Sequence, residues 1–321
     1  MTLRQIGTSD MMVAPLALGG NVFGWTADEA MSFDILDAFV DAGGTMIDTA
    51  DVYSAWVPGH KGGESETVIG RWLKRDPAKR DKVVIATKVG FLDGQLVDGE
   101  YVASLEPNVV KRACDASLER LGIERIDLYY QHRDNEKVPL ADSLGAFDDL
   151  IGAGKIRAIG LSNFTPERVE AALAVGIAGG MNLPVALQPW YNLVEREKFE
   201  GPLAEVALAR GLSVFPYYSL ANGFLTGKYR SKDDLGKSTR GLRSVDYLEG
   251  RGMRVLAALD DVAAETGKSL AAVALSWTKV QPGITAPIAS ATSLEQFADL
   301  KAALELELSP GQVEALDDAS A

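Results

Sequence analysis

A single cysteine, Cys114, occurs in 321 residues. One thiol closes no intramolecular disulfide and builds no cysteine zinc cluster, so neither device holds this fold together. Cys114 lies in a helical pattern and reads as buried filler. The same scarcity favours a reducing compartment, the cytoplasm. Histidine is nearly as rare, with only His60 and His132. His60, Glu64 and Glu66 show no metal-ligand spacing, so no metal is expected. No stretch approaches the ~18 uninterrupted apolar residues of a membrane span. Residues 1–18 lack the basic segment and apolar run of a secretory leader. Positive charge is also short: 32 Lys and Arg face 45 Asp and Glu, a formal net charge of −13. Such a surface repels nucleic-acid phosphates and anionic lipid, which makes both poor partners, although a local basic pocket can still hold one anionic ligand.

What is present is a regular alternation of short apolar runs and longer amphipathic ones. Strand patterns fall at residues 15–19, 45–48, 83–88, 126–131, 156–161, 185–188, 213–218 and 284–288. Helical patterns fall at 28–42, 64–74, 107–121, 140–153, 165–175, 202–210, 251–266, 269–280 and 293–303, and a last helix follows Pro310. Pro166 and Pro202 sit where a first helical turn tolerates proline, and Gly122, Gly154, Gly211 and Gly267 stand where helices stop. Eight strand–helix units in order imply an α/β fold with a parallel sheet, closed as a (β/α)8 TIM barrel over a single domain, residues 1–321. An opening hairpin at 3–13 closes the barrel floor, and extra helices end the chain. The rival is an open, doubly wound sheet, whose dinucleotide version needs a G-x-G-x-x-G turn after the first strand. That strand ends in Leu18-Gly19-Gly20-Asn21, with no such turn. The weakly patterned stretch 229–248 follows the seventh strand, where a lid or binding loop belongs.

A barrel of this kind works at the C-terminal ends of its strands. Those ends and the loops just beyond carry an acid, a phenol, a cation and an imidazole: Asp48, Tyr53, Lys88 and His132. Each alone has a bland reading, as a turn cap, a half-buried aromatic, a surface cation or a satisfied core residue. Their convergence on one mouth favours a joint use. Carbonyl reduction needs a hydride on carbon and a proton on oxygen. A tyrosine supplies the proton, a nearby ammonium lowers its pKa, an aspartate holds the ammonium, and a neutral imidazole orients the carbonyl oxygen.

These residues stand in motifs that resemble the aldo-keto reductase superfamily. They are Met46-Ile47-Asp48-Thr49-Ala50-Asp51-Val52-Tyr53 with Gly63-Glu64-Ser65-Glu66, then Ala86-Thr87-Lys88 and Asp127-Leu128-Tyr129-Tyr130-Gln131-His132. Ile159-Gly160-Leu161-Ser162-Asn163-Phe164 and the run from Ser219 to Tyr229 complete the likeness, which covers essentially the whole chain. The resemblance implies a nicotinamide-dependent reductase of aldehydes or ketones, small or sugar-like. It implies Tyr53 as general acid, Lys88 and Asp48 as its supporting pair, and His132 beside the substrate carbonyl. It further implies that Ser162, Asn163 and Gln188 grip the nicotinamide carboxamide and that Tyr218 stacks on its ring. Ser219, Leu220, Gly223, Leu225 and Lys228 resemble a pyrophosphate loop.

Around Ser290, Thr292 and Gln296 the pattern departs from the family. The basic residue that usually meets the 2′-phosphate of NADP is absent, and Leu300 stands where an asparagine is common. A guanidinium is the natural bidentate partner of that phosphate, so NADP(H) is expected with relaxed preference and NAD as an alternative. Lys301 and the loop 228–243 remain as sources of charge. Trp25, Trp56, Phe91 and Tyr191 are expected to wall the substrate pocket. Three other readings stay open. One is a non-catalytic nicotinamide-binding regulatory subunit, and a second is an NAD-preferring alcohol or sugar dehydrogenase on the same barrel. The third is a lyase using Lys88 as a Schiff base, which Asp48 disfavours by keeping the lysine charged.

Overall fold

Eight short parallel strands make one sheet in the computed structural model, which describes residues 2–97, 100–238 and 241–321. They are β1 (Ala17–Gly19), β2 (Met46–Asp48), β3 (Val84–Val89), β4 (Ile126–Gln131), β5 (Ile156–Ser162), β6 (Pro184–Gln188), β7 (Ser213–Val214) and β8 (Ile288–Ala289). Neighbours in sequence are neighbours in space, and β8 returns to pair with β1, placing Ile288 opposite Ala17. The last seam closes through backbone bonds. The Thr285 and Ile288 amides donate to the Val214 and Pro216 carbonyls at 2.8 and 2.9 Å. The eight units of the sequence pattern are thus a (β/α)8 barrel.

Both terminal strands are shorter than their patterns. The seventh ladder ends at Val214, because Pro216 has no amide to donate and Tyr218 turns into positive φ, 55°. In the eighth, Ile284 bridges Val214 and the Thr285 and Ala286 amides donate to the Val214 carbonyl without a regular ladder, while the Pro287 carbonyl accepts from Ala17 of β1. A small antiparallel ladder after β3, Gln95–Val97 with Glu100–Val102, was not anticipated by the pattern reading.

Strand residues alternate between two cores. Met46, Ala86, Leu128, Tyr130, Ala158, Ala186 and Phe215 fill the barrel. Ile47, Ile85, Tyr129 and Ile159 point outward, into the layer covered by helices. The wrapping helices include α1 (Glu29–Asp41), α2 (Glu64–Arg75), α3 (Pro107–Leu121), α4 (Leu140–Gly152), α5 (Pro166–Gly179) and α6 (Pro202–Ala209). After them come α7 (Arg251–Thr266), α8 (Leu270–Val280), α9 (Leu294–Glu305) and the terminal α10 (Pro310–Ser320). Cys114 is fully buried in α3, and burial pushes its thiol up to about 12, so it is inert packing.

The opening hairpin, Arg4–Gln5 with Met12–Val13, plugs the end where strands begin. Its Ile6 and Met11 complete the barrel interior. Gly7 makes this possible: its φ is +49°, and a Cβ there would stand 2.5 Å from the Val185 carbonyl oxygen. Arg4 ties the hairpin down by donating to the carbonyls of Lys279, Ile284 and Thr285. The stretch expected as a binding loop folds into short 3-10 turns at Lys232–Lys237 and Gly241–Tyr247, with Leu235 buried beneath. Its Thr239 and Arg240 lie outside the described residues. No helix among the described residues is long and apolar enough to cross a membrane.

Candidate active site

Strand register brings the four chemical groups together. Asp48 lies opposite Ala86 on β3, and Lys88 opposite Tyr130 on β4, one residue pair below the loop that begins with His132. Lys88 is wholly buried, a costly place for an ammonium unless every proton finds an acceptor. It donates to Asp48 Oδ2 at 2.7 Å, to the Thr49 carbonyl at 2.8 Å and to Tyr53 Oη at 3.0 Å. Asp48 is also buried; its other oxygen accepts from Gln188 Nε2 at 2.8 Å. The half-buried rings of Tyr53 and His132 stand 6.2 Å apart, and Phe91 meets His132 edge-on at 4.4 Å.

Burial decides the protonation states. It holds His132 well below the ordinary imidazole value, and the Lys88 charge pushes the same way, so the ring is neutral at pH 7. Burial also lowers the Lys88 ammonium, against the opposing pull of Asp48. Tyr53 corrects an expectation. Burial first, then the Asp48 carboxylate, raises its hydroxyl well above the usual value, where the sequence reading had Lys88 lowering it. The physical reason is that Lys88 already shares its charge with Asp48, while the phenolate would be an anion in a site with little water. Free Tyr53 is a neutral O–H donor.

The residues expected around a nicotinamide line the next stretch of wall. Ser162 Oγ donates to the Gln188 carbonyl at 2.9 Å. Asn163, at φ 58°, donates to the His132 carbonyl at 2.9 Å and accepts from Tyr217 Oη at 2.5 Å. The Tyr218 ring leans on Trp190 at 4.6 Å, and its carbonyl accepts from Asn192 at 3.0 Å. Positive φ continues through Ala221, Asn222 and Gly223, which bends the backbone tightly. The Lys228 ammonium lies over Gly223, only 2.8 Å from where a Cβ would be, so an anion there would meet bare backbone and a cation together. In the same turn Ser219 Oγ donates to Pro216, and the Gly223 and Leu225 amides donate to Leu220. Amide-bearing side chains, an aromatic ring and a lysine over a glycine turn fit a nicotinamide dinucleotide.

The adenosine end is less endowed. Ser290 donates to Asn21 at 2.6 Å. Gln296 Oε1 accepts from both the Thr292 amide and hydroxyl at 3.0 and 3.1 Å, completing the start of α9, a contact that uses its acceptor oxygen and not its N–H donors.

Trp25 and Trp56 meet edge to face at 5.5 Å, and Trp56 lies 6.2 Å from Tyr53, so both stand at the mouth with Phe91. Tyr191 does not. It is 1% exposed, packs on Phe199 and Trp277, and donates to Glu200 at 2.7 Å. It follows β6 closely enough to suggest the mouth, but its side chain turns into the helical layer. Sequence reasoning missed Asn192, which is fully buried and also accepts from the Val194 and Glu195 amides. An Asn after two aromatics in a loop is an Asx-turn signal and was available. Trp190 and Tyr217 had no such signal; only the β6–β7 register brings them beside Asn163 and Tyr218. Among the described residues no cluster of potential metal ligands occurs.

Comparison with known proteins agrees with this geometry. Residues 15–321 match the Aldo/keto reductase family. An uncharacterized oxidoreductase of Bacillus subtilis, YrpG, is 32% identical over 99% of this chain and 95% of its own length. The L-glyceraldehyde 3-phosphate reductase of Escherichia coli K12 is 29% identical, covering 93% of this chain and 86% of that protein. An aldo-keto reductase of Schizosaccharomyces pombe described as NADP(+)-linked is 29% identical, with 93% and 84% covered.

Proposed function

The chain belongs to the aldo/keto reductase family, and on that premise we propose that it reduces an aldehyde or ketone in the cytoplasm with hydride from NADPH, Tyr53 supplying the proton. The observation that supports this most is the wholly buried Lys88 ammonium, held between Asp48 at 2.7 Å and Tyr53 Oη at 3.0 Å.

A bound nicotinamide supplies the hydride. The chain's own groups do the rest. The substrate carbonyl enters between Tyr53 and His132, with Trp25, Trp56 and Phe91 as apolar walls. The neutral Tyr53 hydroxyl donates its proton as negative charge grows on the carbonyl oxygen. A phenol this reluctant to ionise needs help at that moment, and Lys88, already in contact with Oη, stabilises the phenolate as it forms. Asp48 keeps Lys88 charged and placed, and Gln188 keeps Asp48 in position. Neutral His132 donates one N–H to the carbonyl oxygen without competing as an acid.

Ser162, Asn163, Gln188 and Tyr218 would hold the nicotinamide, and Ser219, Leu220, Gly223, Leu225 and Lys228 the pyrophosphate. Gln188 commits one of its two amide N–H groups to Asp48, and its carbonyl oxygen and second N–H would face the carboxamide. Ser290, Thr292 and Gln296 would meet a 2′-phosphate with no cation among them, so NADPH should be preferred only modestly over NADH. The test is a carbonyl panel including 4-nitrobenzaldehyde and glyceraldehyde, run with both cofactors. Turnover by the wild-type protein and its loss in Tyr53→Phe, with NADPH still quenching tryptophan fluorescence, support the reading. Wild-type rates in Tyr53→Phe overturn the proton assignment. A tenfold or greater preference for NADH overturns the cofactor assignment.

A further inference from the structure

Behind the barrel wall, on the side opposite the Lys88 ammonium, lies a buried polar seam that the reaction above does not use. Register sets Thr87 of β3 beside Tyr129 of β4, both facing the helical layer. Thr87 Oγ1 donates to Glu66 Oε1 at 2.6 Å, and the other Glu66 oxygen accepts from Arg120 Nε of α3 at 2.6 Å. Glu66 is wholly buried, while the Arg120 side chain is 23% exposed. Its neighbour Ser65 bonds Thr49 Oγ1 at 2.8 Å, and Thr49 is the residue whose carbonyl receives the Lys88 ammonium. Two consecutive residues at the start of α2 therefore grip the two backbone segments that flank Lys88.

The seam also carries charge. Lys88 faces Asp48, Asp51 and Tyr53 from β2 and its loop, His132 after β4, and Glu66 from α2. Glu66 faces Arg120 and Cys114 of α3, Asp51, and Tyr129 of β4. Asp51 is 1% exposed, and its Oδ1 has no partner. Burial first, then the Glu66 carboxylate, which is ion-paired with Arg120 at 2.6 Å, push the Asp51 carboxyl well above the carboxylate range.

We propose that Glu66 is a positioning residue for Lys88: through Thr87 it fixes the strand that presents the ammonium, and through its buried negative charge it helps keep that ammonium protonated. The proposal rests on the role given to Lys88 above, but its first test does not. In cofactor-free protein with 13C-labelled lysine, Lys88 is assigned by its loss in Lys88→Arg and titrated by NMR. Glu66→Gln lowers its midpoint by about one pH unit, and Arg120→Gln, which removes the opposing charge from a partly open site, raises it. Midpoints within about 0.2 unit of wild type in every folded variant of the two overturn the electrostatic claim.

Thr87→Val separates the other claim, since it cuts the tether and leaves the charge. Its Lys88 midpoint stays at the wild-type value and NADPH binds within about twofold, while kcat falls about tenfold, a misplacement effect. Wild-type kcat in Thr87→Val overturns the tether. If the wild-type protein reduces no carbonyl, the reductase reading fails, and the lysine titration still decides whether Glu66 governs Lys88.

Discussion

The two ends of this barrel are built to opposite rules. At the floor lies a cavity of about 1340 Å³, lined by Asp10, Thr45, Arg80, Asp127 and Arg157 among others. Its deepest charge is fully answered. Asp127 is 2% exposed, pairs with Arg80 at 2.8 Å and Arg157 at 3.1 Å, and accepts the Ile85 amide at 2.8 Å. At the mouth the backbone and side chains are less comfortable. Among the described residues, the non-glycine ones with positive φ, Ser54, Asn163, Tyr218, Ala221 and Asn222, all follow strand ends there. Such conformations cost roughly 1 kcal/mol or more each, so surrounding structure must impose them. Some of the buried atoms without partners among the described residues, including His132 Nδ1, Trp190 Nε1 and Asn222 Oδ1, belong to the same end. A roomy cavity therefore does not mark the reactive end, whereas unanswered polarity with strained backbone does.

Exchanging one charge at each end should break the comparison cleanly. At the mouth, Lys88→Met removes the group that stabilises a phenolate, and kcat should fall by about 10³-fold. Retention of more than a tenth of the wild-type kcat would mean that another cation does this work. At the floor, Asp127→Asn leaves two arginines facing a neutral amide and weakens the bond to Ile85. The expected cost is about 2 kcal/mol of unfolding free energy, because the arginines are partly exposed and can turn to water. Urea denaturation measures the loss. kcat should stay within about twofold, and a large fall in kcat without destabilisation would show that the floor takes part in chemistry.

The floor and the barrel were legible in the sequence because periodicity reports burial. Alternating runs such as Ile126–Gln131 and capped helices such as Pro107–Leu121, closed by Gly122, have one stable reading. The four groups of the mouth were legible for a narrower reason: in a parallel barrel, residues at strand C-termini converge wherever they fall in the chain. What was not legible depends on side-chain direction and on competition between neighbours. Tyr191 lies as near a strand end as Tyr218, yet one packs on Trp277 and the other on Trp190. Gln296 Oε1 accepts from Thr292 four residues away, a local contact that the sequence reading did not give. The direction of the Tyr53 shift was missed because spacing shows a nearby lysine and not the burial of the phenol oxygen beside Asp48.

A smaller effect sharpens the contrast through pH. His132 is held neutral, so kcat/KM should show no limb near the ordinary histidine value of about 6.5. A limb there would mean that the ring titrates in the working enzyme. Its depressed pKa also ties stability to pH. Below the unfolded value the unfolded chain binds the extra proton, so this stabilisation is present above about 6.5 and declines as pH falls toward the folded value. His132→Gln should flatten the acid decline of the melting temperature, and an unchanged decline would place its cause elsewhere.

The smallest expected effect tests where the mouth stops being chemical. Trp56 is 49% exposed and touches Trp25 and Tyr53 only by its edges. It has no polar contact with the buried tetrad, so it should contribute binding that is equal in the ground and transition states. An aromatic contact of this kind is worth about 0.5–1.5 kcal/mol, which converts to a KM increase of about twofold to thirteenfold for 4-nitrobenzaldehyde in Trp56→Ala. kcat should change by less than about twofold, as it does when only uniform binding is removed. Propanal, too small to reach the wall, should keep its wild-type KM. The opposite pattern, a lower kcat with KM unchanged for both aldehydes, would make Trp56 a brace for the Tyr53 ring. It would also extend the constrained part of the mouth outward to the rim.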